Sequence, residues 1–444
     1  MGKYKGYEKY KDSGVEWLGA IPEHWKAVRL KHITNQIIDG AHFTPTYVNE
    51  GIPFLRVTDI VQAKNNSINM NNIKFIPEEE HNTLSIRCKP EKGDLLYSKN
   101  GTIGVPRIVD WDFDFSIFVS LCLIKVIKPK VNIEFLQYSL LGKLTETQIN
   151  IGAKSNTVTN LHLDKIKEFW ATLPPLDEQK AIAHFLDYKT KQIDDLIAKK
   201  EALIEKLDEK RTAFISHAVT KGLDPSVPMK DSGVEWLGEI PKHWEVIKVK
   251  HLTKILRGKF THRPRNDPRF YDGQYPFIQT GDVANANKFI MEYTQTLNDN
   301  GYAVSKEFPS GTLVMTIAAN IGDMAILNFN ACFPDSIVGF LPSKMTEIFF
   351  LYYLFSSMKK QFLSTAVLNT QLNLNVERIS NLFTVILPLD EQIKITKFLD
   401  KELQNIDQQK AQIKKAIERL KEYRTALITN AVTGKIDVRQ VPIP

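Results

Sequence analysis

The chain has 444 residues, 43% hydrophobic and 25% charged, a globular composition with room for two or three separate cores. A formal net charge of +7 and a pI near 8.9 are compatible with a polyanionic partner but do not require one. There is no apolar run of about eighteen residues and no apolar secretion signal in Met1 to Tyr10, and Cys88, Cys122 and Cys332 stand far apart without a CxxC or a His at metal spacing, which argues against a membrane span, a disulfide frame or a zinc site and for a reducing, cytoplasmic setting.

The chain opens on a segment that it later repeats. Lys11 to Thr34 reads KDSGVEWLGAIPEHWKAVRLKHIT and Lys230 to Thr253 reads KDSGVEWLGEIPKHWEVIKVKHLT, with 16 of 24 positions identical at a shift of 219. Self-similarity on this scale means one fold written twice. After the first opening, residues up to 173 mix short β-rich runs, such as PFLRVTDI from Pro53, DLLYS from Asp94 and SLCLIKVI from Ser120, with a helical run from Ile133 to Leu144. This is an α+β pattern. The stretch from Ile37, IIDGAHFTPTYVNEGIPFLRVTDI, offers His42, Thr44, Thr46 and Arg56 against Asp39, Glu50 and Asp59. To read bases it has to use hydroxyl, amide and imidazole groups, with Lys64, Lys74, Lys99 beside Asn100, or Lys154 for phosphates. Gly101-Thr-Ile-Gly104 lacks the Gly–four–Gly–Lys–Ser/Thr spacing of a phosphate loop and reads as a tight turn. KSNTVTN from Lys154 and NTQLN from Asn369 suit either DNA contacts or caps and turns.

A second matched pair closes each copy. NLHLDKIKEFWATLPPLDEQ from Asn160 is answered by NLNVERISNLFTVILPLDEQ from Asn373, at a shift of 213. Each leads into a segment sharing FLD, RTA and AVT, and the apolar residues there recur every seven. Ile182, Leu186, Ile193, Leu196, Leu203, Leu207 and Phe214 form one stripe, and Ile395, Leu399, Ile406, Ile413, Ala416, Leu420, Tyr423 and Leu427 the other. This spacing predicts a coiled-coil seam. Additional apolar residues (Phe185, Ile197, Ile204, Leu403, Ile417) widen the stripe toward a further partner. Prolines precede the helices, Asp177-Glu178 and Asp390-Glu391 suit their first turns, and Gly222 and Gly434 suit left-handed caps. About 40 residues give helices roughly 60 Å long. The first helix leads from domain one to domain two, so a shared seam requires the second to run back. The expected architecture is therefore α+β, with two pseudo-symmetric domains, 1–173 and 223–386, separated by antiparallel helices within 174–222 and 387–444. A spacer of fixed length and an internal brace are both open uses for the pair.

The second domain diverges in its middle, with TLVMTI from Thr312 and a helical run from Glu347 to Leu363 as its clearest elements. Its basic stretch, KILRGKFTHRPRNDPRF from Lys254, contains Arg257, Lys259, His262, Arg263, Arg265 and Arg269, with Phe260, Phe270 and Tyr271 interleaved and Pro264 and Pro268 favouring a loop. Such a loop fits phosphate neutralisation and guanine reading, and also a plain solvated loop. Catalytic signatures are missing: no HExxH, no G-x-S-x-G or SxxK, no Asn/Asp-Pro-Pro-aromatic. Pro334-Asp335 is followed by Glu347-Ile-Phe349, without the lysine of a nuclease site. His24-Trp25 and His243-Trp244 recur in the retained frame and read as structural.

Together these features resemble the specificity subunit of type I restriction–modification enzymes. The resemblance rests on the doubled DSGVEWLG.IP.HW, on DGAHFTP…GIPFLRV, on GDLLYSKNGTIG, and on P-LDEQ…FLD leading twice into a long helix. RGKFTHRPR replaces DGAHFTP in the second domain. The resemblance implies two target-recognition domains, each reading half of a split double-stranded DNA sequence, with helices that set the spacing. It implies two methyltransferase subunits docked on the helices and restriction subunits beyond them. S-adenosylmethionine, ATP and magnesium belong to those partners, and this chain catalyses nothing alone. A free-standing duplicated DNA-binding regulator and an unrecognised enzyme are the competing readings.

Overall fold

The computed structural model describes residues 4–63, 68–151, 160–318, 321–364, 366–368 and 372–443. The chain divides into two compact units, one of residues 1–201 with 414–444 and one of residues 202–413.

In the first unit the opening segment forms a hairpin, Tyr10–Asp12 paired with Ala20–Pro22. Trp25 follows and is fully buried. Strand Lys26–Arg29 then pairs antiparallel with Trp170–Leu173, the last strand before the first long helix. The start and the end of the domain are therefore hydrogen-bonded to each other beside the helix start. This explains why the repeated sequence sits at those two places and the divergent sequence between them. The divergent part holds a four-stranded antiparallel sheet in the order Thr34–Asp39, Leu121–Val126, Leu95–Ser98, Pro106–Ile108. Its two central strands are buried on both faces, which is why they read as unbroken apolar runs rather than as alternation. A second sheet orders Lys74–Ile76, Ile52–Leu55 and Ser116–Ile117, the last two parallel.

Two runs end earlier than the sequence suggests. The strand from Pro53 stops at Leu55, and Val57–Val61 becomes a helical turn because the Asp59 carboxylate accepts the Arg56 N–H at 2.7 Å. The helix expected over Ile133 to Leu144 breaks at Gly142 into Ile133–Leu141 and Lys143–Asn150.

The second unit repeats this plan. Met229–Asp231 pairs with Glu239–Pro241, Trp244 is buried, and Glu245–Lys248 pairs with Phe383–Ile386. Its sheet runs Thr253–Arg257, Ile337–Pro342, Leu313–Thr316, Met324–Leu327, with Phe289–Ile290 added in parallel at the edge.

The long helices span Leu176–Lys221, 46 residues, and Leu389–Val432, 44 residues. Gly222 (φ 79°) and Gly434 (φ 71°) take the left-handed conformation that stops each one, as the sequence suggests. Within the second unit the helices are antiparallel: Asp208 meets Lys410 at 2.5 Å and Arg211 meets Asp407 at 2.7 Å, so numbers rise on one as they fall on the other.

The seam calls for a correction. Ile182, Leu186, Ile193, Leu207, Ile395, Leu399, Ile406 and Leu427 are buried, and Phe214, Ile413 and Leu420 are half-buried. Leu196 and Leu203, however, are 43% and 45% exposed, and Tyr423 is 46% exposed. The inward positions lie one residue later, at Ile197, Ile204 and Arg424. Both assignments keep a seven-residue repeat and share every second position. They differ in whether the step of four or of three follows it. The true intervening positions also hold Thr190, Arg211 and Lys410, polar residues with partners of their own, so counting apolar residues favoured the wrong neighbours.

Candidate nucleic-acid interface

Each divergent loop leaves its sheet at a glycine. Gly40 follows strand Thr34–Asp39, and Gly258 follows Thr253–Arg257. A Cβ on Gly40 would lie 1.9 Å from the Ile117 carbonyl oxygen, and one on Gly258 would lie 2.2 Å from that of Pro334. No side chain fits at either point. The loop root is thus pinned against a neighbouring chain segment in both units, and the residues beyond it are free to differ.

In the first unit the loop is organised around Asp39, which is 4% exposed. Arg87, the last residue of helix Glu78–Arg87, reaches it at 2.8 Å and also donates to the carbonyls of Asp39 (3.0 Å) and Gly40 (3.2 Å). His42 Nε2 lies 2.9 Å from the same carboxylate and Lys99 Nζ 3.5 Å from it. Burial pushes the Asp39 carboxyl up, but the hydrogen bonds from His42 and Arg87 and the nearby charges outweigh it and hold the group below its ordinary value. Lys99 is 5% exposed, so in this arrangement it neutralises Asp39 instead of offering a free charge to a phosphate. Arg56 is likewise committed, with Nη2 3.0 Å and Nε 3.1 Å from the Asp59 carboxylate. Asn100 bridges to Asn160 through its backbone, and its Oδ1 is buried with no hydrogen-bond partner among the described residues. Lys154 and Lys64 lie outside the described residues, as do most of KSNTVTN and NTQ of NTQLN.

The loop still presents His42, Phe43, Thr44 and Tyr47 to solvent, with Lys74 Nζ 5.7 Å above the Tyr47 ring. Beneath them is a cavity of about 320 Å³ lined by Gly40, Ala41, His42, Phe43, Arg87 and Cys88. Burial pushes the Cys88 thiol up to about 11, which leaves it protonated and unreactive at neutral pH.

The basic loop of the second unit is braced differently. Phe260 is 2% exposed and packs with Phe277 and Leu297, with Phe270 and Tyr271 against them. These aromatics form a small core under the loop. His262 stacks on Phe270 at 4.0 Å and bonds Asp267 at 3.1 Å. Arg269 closes on Asp267 at 2.7 Å, and its hydrogen bonds, with that of His262, hold the Asp267 carboxyl well below the usual carboxylate range.

The remaining arginines converge on Asp335. Arg257 Nε donates to its carbonyl at 2.7 Å, Arg263 Nη2 lies 3.5 Å from Oδ2, and Arg265 Nη2 donates to Oδ1. Arg263 Nη1 also donates to the carbonyls of Phe260 (2.7 Å) and His262 (2.8 Å). Lys259 is exposed, and its backbone N–H bonds the Phe333 carbonyl. The charge count along the sequence therefore overstates the free positive charge here. Sequence reasoning missed both Asp335 and Arg87, because each lies far along the chain from the loop it serves. The pairing of strands Thr253–Arg257 and Ile337–Pro342 is what carries Asp335 to the root of the basic loop.

The repeated histidines play the same structural role in both units. His24 Nε2 lies 2.8 Å from Glu178, and His243 Nε2 lies 2.9 Å from Glu391. Among the described residues no group of three His, Cys, Asp or Glu is placed to hold a metal ion, and no helix is long and apolar enough to cross a membrane.

Comparison with known proteins matches residues 22–206 and 241–419 to the family described as type I restriction modification DNA specificity domain. The chain is 26% identical over 436 residues to the putative type I restriction enzyme MjaX specificity subunit of Methanocaldococcus jannaschii, covering 95% of this chain and 96% of that one. It is 23% identical over 448 residues to the type I restriction enzyme EcoBI specificity subunit of Escherichia coli, covering 96% and 89%. Among solved structures, a chain from work on complex assembly and conformational transition of the type I R-M system superposes with a TM-score of 0.72 at 16% identity, over 93% of this chain and 98% of that one. The HsdS subunit from Thermoanaerobacter tengcongensis gives 0.52 at 16% identity, over 94% and 98%.

Proposed function

The chain belongs to the family of type I restriction–modification DNA specificity domains, and from that premise we propose how its two copies divide the work. It is the DNA-reading subunit of a type I complex and carries no catalytic role of its own. Residues 1–173 read one half of a split double-stranded target and residues 223–386 read the other. The helices within 174–222 and 387–444 set the spacing and dock two methyltransferase subunits, with restriction subunits joining that core. S-adenosylmethionine, ATP and magnesium belong to those partners, and the complex works in the cytoplasm of a prokaryotic cell.

The observation that carries this reading is the contrast inside each matched copy. The frame repeats down to the hydrogen bonds of Gln179 and Gln392, whereas the loops beyond Gly40 and Gly258 hold different residues in different arrangements. Two readers of different half-sites need that combination, a common scaffold with unlike contacts. In the first domain the readers are His42, Thr44, Arg56, Asn100 and Lys154, with Lys99 supporting Asp39. In the second they are Arg257, Lys259, His262, Arg263, Arg265 and Arg269.

The test is a genome-wide map of methylated adenines, made with and without this chain in a host carrying the cognate methyltransferase subunit. A two-part sequence should lose methylation on deletion and regain it when the chain is restored. If no split sequence changes, the reading is wrong.

A further inference from the structure

Asp335 has no place in the frame and no carboxylate at its matching position in the first unit, where the segment against Gly40 reads Ile117-Phe118-Val119. Its carboxylate faces the guanidinium groups of Arg263 and Arg265, and its carbonyl accepts from Arg257 Nε. Its own side chain and those of Arg263 and Arg265 are 36%, 52% and 46% exposed. Ion pairs this exposed add little to stability. The cluster is therefore poorly explained as a device for holding the fold together, and better explained by what it does to the arginines.

The two guanidinium groups differ in what they have left to give. Arg263 is the more committed: Nη1 donates to two carbonyls and Nη2 faces Asp335. It locks the loop. Arg265 makes one side-chain hydrogen bond among the described residues, from Nη2 to Asp335, which leaves Nε–H, both Nη1 hydrogens and the second Nη2 hydrogen as donors, with Nη1 and Nη2 sharing one edge of the fork. Its backbone is fixed as well, since the Tyr271 hydroxyl donates to the Arg265 carbonyl. A guanidinium held on one side and open on the other presents its donors in one direction. The base edge that matches such donors is that of guanine, with two acceptors, N7 and O6, in the major groove.

We propose that Asp335 is a positioning residue that aims Arg265 at a guanine in the second half-site. This rests on the reading of the chain as a DNA specificity subunit. The carboxylate acts in two opposed ways. It repels phosphates, which weakens binding to any duplex, and it restricts Arg265 to one orientation, which sharpens binding to one base. A merely structural acid would give neither effect, and a plain phosphate-binding loop would give no change in base preference.

The experiment uses the full chain in complex with its methyltransferase subunits. Wild type, Asp335→Asn and Arg265→Lys are compared by methylation mapping and by binding to duplexes with an intact or a scrambled second half-site, across a salt series. Asp335→Asn should lose about tenfold or more of its discrimination at one guanine position. Affinity for the scrambled duplex should rise, with a salt slope steeper by about one unit. Arg265→Lys keeps the charge and the acid but loses the planar fork, and should relax the same position without raising non-specific affinity. The first half-site should be untouched in both. Unchanged discrimination in either folded variant overturns the inference, as does equal loss at both half-sites. If Asp335→Asn fails to fold, Arg265→Lys decides alone. A wild-type complex that directs methylation to no split sequence would instead overturn the functional reading beneath it.

Discussion

In the first unit Gln179 accepts the Asn132 N–H at 2.9 Å and donates to the carbonyls of Lys130 and Pro174. In the second, Gln392 accepts the Glu347 N–H at 2.8 Å and donates to Met345 and Leu387. These are the same three bonds at corresponding positions, made by a buried glutamine that knits a helix start to its domain. The loops beyond Gly40 and Gly258 show no such agreement. One surrounds a single buried carboxylate with His42, Arg87 and Lys99, and the other ties its arginines to Asp267 and Asp335 at the surface. Leaving a buried polar group without its partner is costly, so these glutamine bonds are kept in both copies. Beyond each glycine the pairs are made within the loop and its own neighbours, the exposed ones on Asp335 costing little to exchange, so the loops are free to differ.

The frame itself contains the largest effect by which this comparison can be broken. Leu207 is 7% exposed and Leu203, four residues earlier on the same helix, is 45% exposed. Leu207→Ala should destabilise its unit by about 2–5 kcal/mol, whereas Leu203→Ala should stay within about 0.5 kcal/mol in the chain without partners. Denaturant unfolding followed by hydrogen exchange in residues 202–413 separates the two. Equal losses would restore the seam as first counted from the sequence.

That example also shows how far the sequence was legible. The duplication, the helix ends and the existence of a seven-residue seam depend on local repetition and on caps, which a single chain displays openly. Which neighbour completes the seam depends on Thr190, Arg211 and Lys410 finding partners, and polarity counts hide this. In the reading loops the basic residues were visible, but their neutralisation was not, because Asp335 arrives from about seventy residues away through strand pairing. The packing of the aromatic residues was hidden for the same reason: Phe260 and Tyr271 belong to a core that only the folded chain creates.

A smaller effect tests how alike the frames are at a visible mismatch. Trp244 Nε1 lies 3.1 Å from both oxygens of Glu391. Trp25 is equally buried, yet its Nε1 has no partner among the described residues. The reason is Tyr7, whose hydroxyl donates to Glu178 Oε1 at 2.5 Å; burial and this hydrogen bond push the phenol well above its ordinary value and keep it protonated. Trp244→Phe removes a hydrogen bond to a charged acceptor, whereas Trp25→Phe removes an unsatisfied donor. The first should cost more than the second by about 1–3 kcal/mol. Hydrogen exchange in strands Glu245–Lys248 and Lys26–Arg29 reads each unit separately. Equal costs would mean that Glu391 contributes nothing through the indole.

The smallest effect is the sharpest, because it compares two pairs that the duplication makes equivalent. Arg211 meets Asp407 at 2.7 Å, and Arg424 meets Asp194 at 2.9 Å. The side chains are 28% and 48% exposed in one pair and 30% and 51% in the other, so solvent screens them alike. Double-mutant cycles should give each a coupling of about 0.2–1 kcal/mol, fading as salt approaches about 1 M. One neighbour differs. Lys410 bonds Asp208 at 2.5 Å one turn away, whereas the positions that correspond in the first unit are Ile197 and Lys421, which cannot pair. Any excess coupling in the second unit therefore belongs to that third pair and should vanish in an Asp208→Asn background. An excess that survives there would show that the duplicated arginines are not equivalent, and that the copies have diverged in their frame as well as in their loops.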